Sequence, residues 1–394
     1  MKIESIKLQN YKAFKDVYLT NLPEFMILVG ANGTGKSTFF DVFGFLHDCL
    51  TGNVRSALDK RGRFQEVRSR GSKGNILIEV QYRMEIVGKA RLVTYTLEIG
   101  EESGRPIIFK ESLRYKRGRY GAPYYFLRFS KGHGYAISNE EDYSKPDEEL
   151  EREVASLSPD ILAIKGLGQF DRFKAASAFR KLIESWHVSD FHITSSRGRV
   201  ETTGESEHLS QSGDNLPRYA QYLHEQHKKL FKKIIKTISK RVPGVSNIEP
   251  ILSEDGYLTL KFQDGSFQTP FLDRYVSDGT IKMFAYLALL YDPYPHPLLC
   301  VEEPENQLYP LLMTELAEEF RLYGSRGGQV FVSTHSPEFL NAAELDEVYW
   351  LVKSQGYTKI LRASENDQVA AYVRLGDKLG YLWKQDFFEG ASPQ

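Results

Sequence analysis

Apolar and polar positions change period several times along the chain. The opening stretch MKIESIKLQNYK alternates and predicts a strand. Phe25–Val29 is a short apolar run, followed by a glycine-rich loop and an apolar helical stretch from Thr38 to Leu50. Alternation returns over Ile76–Arg83, Arg91–Ile99, Ile107–Tyr115 and Tyr124–Phe129, which predicts an antiparallel meander packed on one face. Helical segments are expected near 146–157 and 171–186, and an exposed loop over 194–214. One long helix is expected over about 215–241, closed by Pro243-Gly244. Strands near 247–252 and 257–262 come next. From 277 the pattern reads helix, strand (Leu298–Glu302), helix, strand (Val330–Thr334), helix, strand (Val348–Val352), an α/β succession with a parallel sheet.

The strongest chemical signal is Gly30-Ala31-Asn32-Gly33-Thr34-Gly35-Lys36-Ser37, with Thr38 next. It fits the phosphate-loop pattern and stands between an apolar strand and a helix, where its backbone N–H groups can close around phosphate oxygens. Lys36 is expected to reach the β- and γ-phosphates of ATP and Ser37 to ligate Mg²⁺. A second signal is Leu298-Leu299-Cys300-Val301-Glu302-Glu303-Pro304-Glu305-Asn306, a buried strand with an acidic end. Glu302 is assigned to the Mg²⁺ shell and Glu303 to the attacking water. Two weaker signals follow. Ser277-Asp278-Gly279-Thr280 opens a helix and offers a hydroxyl and N–H groups to an anion, although it also reads as an ordinary helix cap. His335, in Thr334-His335-Ser336-Pro337, ends a strand where it can contact a γ-phosphate. The phosphate-binding segment and the second α/β half are far apart in sequence, so an inserted region is expected. The boundaries read as an N-terminal lobe over 1–145, a helical insertion over 146–245 and a C-terminal lobe over 246–394.

The order of these four motifs resembles the ABC-type ATPases of the RecF, SMC and OLD group, in particular the stand-alone branch of OLD-like AAA ATPases. Ile6-Lys7-Leu8-Gln9-Asn10-Tyr11-Lys12-Ala13-Phe14 looks like that group's first strand and turn. The resemblance implies an α/β P-loop ABC-type ATPase domain with a mixed sheet, an antiparallel β-subdomain and an α-helical insertion. It implies that Ser277–Thr280 is a signature contacting the γ-phosphate held by an opposing subunit, hence a homodimer or higher homo-oligomer with composite sites. Glu303 becomes the catalytic carboxylate, His335 the switch histidine, and Lys12 a neighbour of the nucleotide. Gly213-Asp214-Asn215-Leu216 resembles a recurrent element of the branch without a chemical role. Three positions depart from the pattern: Glu302 replaces the usual Asp, Tyr309 stands where relatives carry His, and both Gln65 and Gln81 are open as Q-loop residues. No coiled-coil heptads appear, and the stretch after His335 is too short for a TOPRIM domain. A stand-alone ATPase with a separate, nuclease-like effector is therefore expected, in defence against phage or plasmids by analogy.

Composition changes this picture little, and charge changes it more. Apolar residues are 41% and charged residues 26%, an ordinary globular balance. Two cysteines, Cys49 and Cys300, supply neither a disulfide framework nor a zinc site. No signal peptide or bilayer-length apolar run is read, so a cytoplasmic protein without a membrane span is expected. The formal net charge is −1, yet it is a sum of patches. Basic residues gather at 55–73, at 110–131 among tyrosines, and along Lys228–Arg241, while acid gathers at 140–153. Direct binding of DNA is one expectation for these patches. An acidic protein surface is the other for the last of them, within an ATP-stabilised scaffold that turns over little.

Overall fold

The computed structural model describes residues 2–118, 121–189, 200–204 and 207–391. The first sheet is antiparallel and eight-stranded, in the order β2-β1-β4-β5-β6-β7-β8-β9. It comprises β1 (Lys2–Tyr11), β2 (Phe14–Thr20), β4 (Ile76–Ile86), β5 (Lys89–Glu102), β6 (Arg105–Tyr115), β7 (Tyr124–Ser130), β8 (His133–Ile137) and β9 (Arg152–Ser156). The alternation read over 76–129 is the cause of this meander: Ile76, Ile78, Val80, Tyr82 and Met84 are buried, with less buried residues between them.

The second sheet runs β10-β15-β16-β3-β17-β18. Its strands are β3 (Phe25–Val29), β10 (His187–Ser189), β15 (Leu299–Glu302), β16 (Val330–Ser333), β17 (Val348–Ser354) and β18 (Tyr357–Arg362). All neighbours are parallel except β17 and β18. A parallel strand covered on both faces needs an unbroken apolar run, and β3 is buried at all five positions. Met26 and Leu28 enter one hydrophobic core with Phe39, Phe43 and the antiparallel sheet. Phe25, Ile27 and Val29 enter a second core with Phe284, Leu287, Leu316 and Phe320. Helix α1 (Lys36–Thr51) fills the first core. Shorter helices α2 (Val54–Asp59), α3 (Phe64–Val67), α4 (Ala163–Leu167) and α5 (Lys174–Glu184) follow. The second core takes α6 (Leu216–Gln226), α7 (Lys228–Arg241), α8 (Asp278–Leu290) and α9 (Pro310–Ser325). A small sheet of β11 (Val200–Glu201), β12 (Val245–Leu252), β13 (Tyr257–Asp264) and β14 (Phe271–Leu272) lies beside α6 and α7.

Two expectations fail locally. Residues 146–157 are not helical: a single turn at Asp147–Glu149 leads into β9, which pairs with β8 at the sheet edge. The open edge of β8 recruits a segment whose glutamates favour helix locally, and charged edge strands are a common solution. The helix over 215–241 breaks at His227 (φ −127°, ψ 48°) into α6 and α7. His227 holds a place on the apolar seam between Leu223 and Phe231, and its Nε2 pairs instead with the Tyr222 hydroxyl at 3.1 Å. The expected loop over 194–214 falls partly outside the described residues.

Two buried carboxylates tie the antiparallel sheet to the helices above it. Glu111 on β6 accepts from the N–H groups of Ala163 and Ile164 at the start of α4 and from the Tyr95 hydroxyl. Glu140 accepts from Ala175 N–H at the start of α5 (3.0 Å) and from the Tyr115 hydroxyl (2.9 Å). Burial pushes both carboxyls up to about 7, against the lowering effect of those donors. A folded pKa above the unfolded one favours the native state at low pH. That stabilisation is full below about 4.5 and is lost as pH rises through about 7. Melting temperature should therefore fall between pH 5 and 8, and Glu111→Gln should flatten that slope, by up to about 3 kcal/mol across the range. An unchanged slope in both Glu111→Gln and Glu140→Gln would count against this assignment.

Candidate functional site

Strand register brings the predicted motifs to one edge of the parallel sheet. Glu302 on β15 is level with Ser333 on β16, and Ser333 with Leu28 on β3. The residues just beyond, Glu303, Thr334 and Gly30, therefore leave the sheet together at its carboxyl end, where α/β sheets place ligands. The loop at 30–35 needs its glycines for distinct reasons. Gly33 and Gly35 have φ of +73° and +105°. At Gly30 an added Cβ would lie 2.8 Å from Thr34 Oγ1 and 2.9 Å from the Leu351 carbonyl oxygen. Thr34 Oγ1 donates to the Ala31 carbonyl at 2.8 Å and closes the loop. Asn32 and Gly33 lie exposed at its mouth, and Thr38 is half-buried in the first turn of α1.

Lys36 is 6% exposed. Its Nζ donates to the Gly30 and Ala31 carbonyls at 2.7 and 3.2 Å, curling into the cradle that the loop forms. Burial pulls its pKa down to about 8, opposed by Glu303, Glu305 and Glu302 in that order. Ser37 Oγ donates to Glu302 Oε2 at 2.5 Å, so the two residues assigned to Mg²⁺ already face each other. The hydroxyl–carboxylate pair is the hard oxygen donor set that Mg²⁺ takes, and its two side chains fit the ion.

Glu303 has a left-handed backbone (φ 42°), unusual for a residue with a side chain. Its N–H donates to the Ser333 carbonyl, and its Oε2 accepts from Asn306 Nδ2 at 3.0 Å. Its Oε1 lies 3.3 Å from His335 Nε2. Burial first and Lys36 second hold the His335 imidazole below its ordinary pKa, with Glu303 opposing. Glu305 had no assigned role in the sequence. Its Oε1 accepts from Thr334 Oγ1 (2.8 Å) and His335 N–H (2.6 Å), which fixes the turn carrying the histidine. Its Oε2 is buried without a hydrogen-bond partner, and burial raises its pKa. Thr358 was also missed: its hydroxyl donates to the Thr34 carbonyl at 2.6 Å, bracing the loop from β18. No motif marks Thr358, because its partner is more than 300 residues away in sequence.

Other candidates stand apart from this constellation. Ser277 caps α8, its hydroxyl accepting from Thr280 N–H and pairing with Thr280 Oγ1. Gly279 packs so closely on the acidic segment that an added Cβ would lie 2.8 Å from the Gln307 carbonyl. Lys12 pairs with Asp41 in α1 at 2.5 Å, and Arg61 bridges Asp41 to Asp48. Gln65 bonds Glu101 and Arg68, and Gln81 pairs along β4 with Ser5. Tyr309 is exposed at the start of α9.

Every basic patch keeps exposed cations, among them Arg55, Arg63, Arg70 and Lys73 in the first and Lys116, Arg128 and Lys131 in the second, but several members are engaged within the fold. Within 55–73, Arg61 is committed to Asp41 and Asp48, and Lys60 to Asp48. In the second patch Arg117 is buried against Asp147 and main-chain carbonyls. Tyr115 stacks on Phe126 at 3.9 Å and both are buried, so these rings serve the sheet's core and cannot stack on bases. Arg119 and Tyr120 lie outside the described residues. On α7, Lys228, Lys229, Lys232, Lys236 and Lys240 are all exposed along a single helix.

No helix among the described residues is long and apolar enough to cross a membrane. The fold is similar to that of solved SMC heads. One, the SmcHead bound to the C-winged helix domain of ScpA, matches with a TM-score of 0.57 at 14% identity, over 94% of this chain and 100% of that one. Another, the Smc head domain with an extended coiled coil bound to the C-terminal domain of ScpA, derived from Pyrococcus furiosus, gives 0.51 at 14% identity over 94% and 99%. The α/β ABC-type ATPase fold expected from the motifs is the fold found. No curated protein matches the chain. Residues 25–341 match the family described as "AAA domain, putative AbiEii toxin, Type IV TA system". That span reaches from the strand before the phosphate loop to beyond His335, and the chain belongs to this family of AAA domains.

Proposed function

We propose that this protein is an ATP-binding and ATP-hydrolysing switch whose two sites are each completed by a second copy of the chain. The observation that carries the reading is the convergence of Lys36, Ser37, Glu302, Glu303 and His335 at one sheet edge. The loop's N–H groups and the start of α1 receive the phosphates, and Lys36 exchanges its two carbonyl partners for β- and γ-phosphate oxygens. Ser37 and Glu302 would hold Mg²⁺, which would supply neutralisation of the phosphate charge. Glu303 orients the attacking water and accepts its proton, and His335 positions the Glu303 carboxylate beside the γ-phosphate. Glu305 keeps that histidine in place. Lys12, paired with Asp41 of α1, serves as a neighbour of the nucleotide.

Ser277 and Gly279 open α8, where the Ser277 hydroxyl caps the Thr280 N–H. The family resemblance suggests that this helix start meets a nucleotide on an opposing subunit, head to tail. Mixing Lys36→Ala with Ser277→Arg tests it. Each variant alone is expected to be inactive, and the mixture should recover up to about a quarter of wild-type hydrolysis through one intact composite site per mixed dimer. A mixture as inactive as its parents would remove the composite site.

DNA is the polyanion that the lysine face of α7 suits best, and a nuclease-like protein in defence against phage or plasmids is the effector the family resemblance suggests. Both solved SMC heads are bound to a domain of ScpA, which makes a separate protein partner a natural expectation here. Duplex DNA should stimulate hydrolysis at low salt, and Lys232→Glu with Lys236→Glu should abolish stimulation and lower the salt slope by about 2. A rate that stays flat over a DNA titration favours the alternative, an ATP-stabilised scaffold that captures a protein partner with little turnover.

A further inference from the structure

Away from the phosphate loop, at the other end of β15 and α8, three side chains meet that none of the chemistry above uses. They are His208, in the segment leading to α6, Asp292, just past α8, and His296, just ahead of β15. One nitrogen or carboxylate oxygen from each lies within 4.8 Å of the other two. We propose that His208, Asp292 and His296 form a binding site for one divalent transition-metal cation of the zinc class.

The donor set and its orientation carry the proposal. His208 Nδ1 stands 3.0 Å from Asp292 Oδ2. Asp292 is 6% exposed, and its other oxygen accepts from Tyr294 N–H at 2.7 Å, which turns Oδ2 toward the histidines. His296 Nδ1 bonds the Ser185 carbonyl at 2.9 Å, so Nδ1 carries the proton and Nε2 presents a lone pair. That backbone contact is the outer-shell device that orients metal-bound histidines. His296 Nε2 is buried and has no hydrogen-bond partner, a deficit that a cation would remove. Tetrahedral ligands at about 2.0–2.1 Å from zinc stand about 3.4 Å apart, so closure needs a shift of little more than an ångström. Half-exposed His208 is the least confined of the three side chains.

Two imidazoles and one carboxylate suit zinc, cobalt or nickel far better than Mg²⁺, which prefers oxygen ligands and retains waters. A cleft of about 670 Å³ opens onto His208 and His296 and leaves the fourth position to solvent. The His187 ring stands behind His296, centroid to centroid 4.9 Å. The cation would pin the segment before α6 to the start of the strand that carries Glu302 and to the end of the helix that begins at Ser277. It would thus tie the inserted region to both elements that flank the nucleotide.

The test uses tag-free full-length protein. Elemental analysis after purification should find about one equivalent of a transition metal per chain. Chelator-stripped protein should take up Co²⁺ with a tetrahedral visible band and melt at higher temperature with Zn²⁺, in the presence of excess Mg²⁺. His296→Ala and His208→Ala should bring the metal to background, whereas Lys36→Ala should leave it in place. That last variant separates this site from the nucleotide's Mg²⁺, so either reading can fail alone. Metal at background in wild type, together with no Co²⁺ band and no thermal response, would overturn the proposal. So would a full equivalent retained by both histidine variants. Should either variant fail to fold, the wild-type Co²⁺ spectrum decides, because aquated Co²⁺ and Co²⁺ in an octahedral oxygen site of the Mg²⁺ kind give no such band.

Discussion

Lys36→Ala is expected to bring hydrolysis to background and to weaken ATP binding by at least about 30-fold. The ammonium is nearly buried, and the charges that act on it most are the three carboxylates Glu303, Glu305 and Glu302. Truncating a desolvated charge that meets another charge costs about 2–5 kcal/mol, which sets that lower bound on the loss. Removing it also strips the Gly30 and Ala31 carbonyls of a donor. Some loss of stability should accompany the loss of function, so the melting curve must be read alongside. Binding of a fluorescent ATP analogue and release of phosphate are the two measurements. Wild-type affinity in a folded Lys36→Ala protein would place the nucleotide elsewhere.

Glu303→Gln is expected to separate the two quantities. Hydrolysis should fall about 10²–10⁴-fold, the usual contribution of a positioned base, while ATP affinity stays within about threefold. Glutamine keeps the side chain's length and can still bond Asn306 and His335, so the strained turn at φ 42° should survive. The nucleotide should then remain bound through gel filtration and hold the protein in its assembled state. If that variant hydrolyses at the wild-type rate, Glu303 is not the base, and Glu305, buried with a raised pKa beside it, becomes the residue to replace.

Much of this site was legible because its chemistry is local. The phosphate loop and the Glu302–Glu303 pair are contiguous motifs on a strand–loop–helix and a strand end, and register does the rest. What stayed hidden depends on distance. Thr358 braces the loop from a strand that the sequence reading did not place, and Glu305 acts on Thr334 and His335 across a strand gap. The rings of Tyr115 and Phe126 were open to two readings, stacking or core, for a related reason. Alternation says that one face is buried, but it does not say which rings lie on that face. The break at His227 and the strand at 152–156 are tertiary outcomes too, since a tyrosine hydroxyl and an open sheet edge overrode helical propensity.

β3 pairs with β16 on one side and β17 on the other, joining residues 25–29 to 330–333 and 348–350. During synthesis the phosphate loop thus emerges early but has no sheet to stand on until some 300 residues later, and closing so large a loop is intrinsically slow. Nascent chains arrested before residue 350 should be unable to retain ATP. Nucleotide binding is in this respect a certificate that translation has passed β17, and chains that stop short of it are excluded from assembly by the strand order itself.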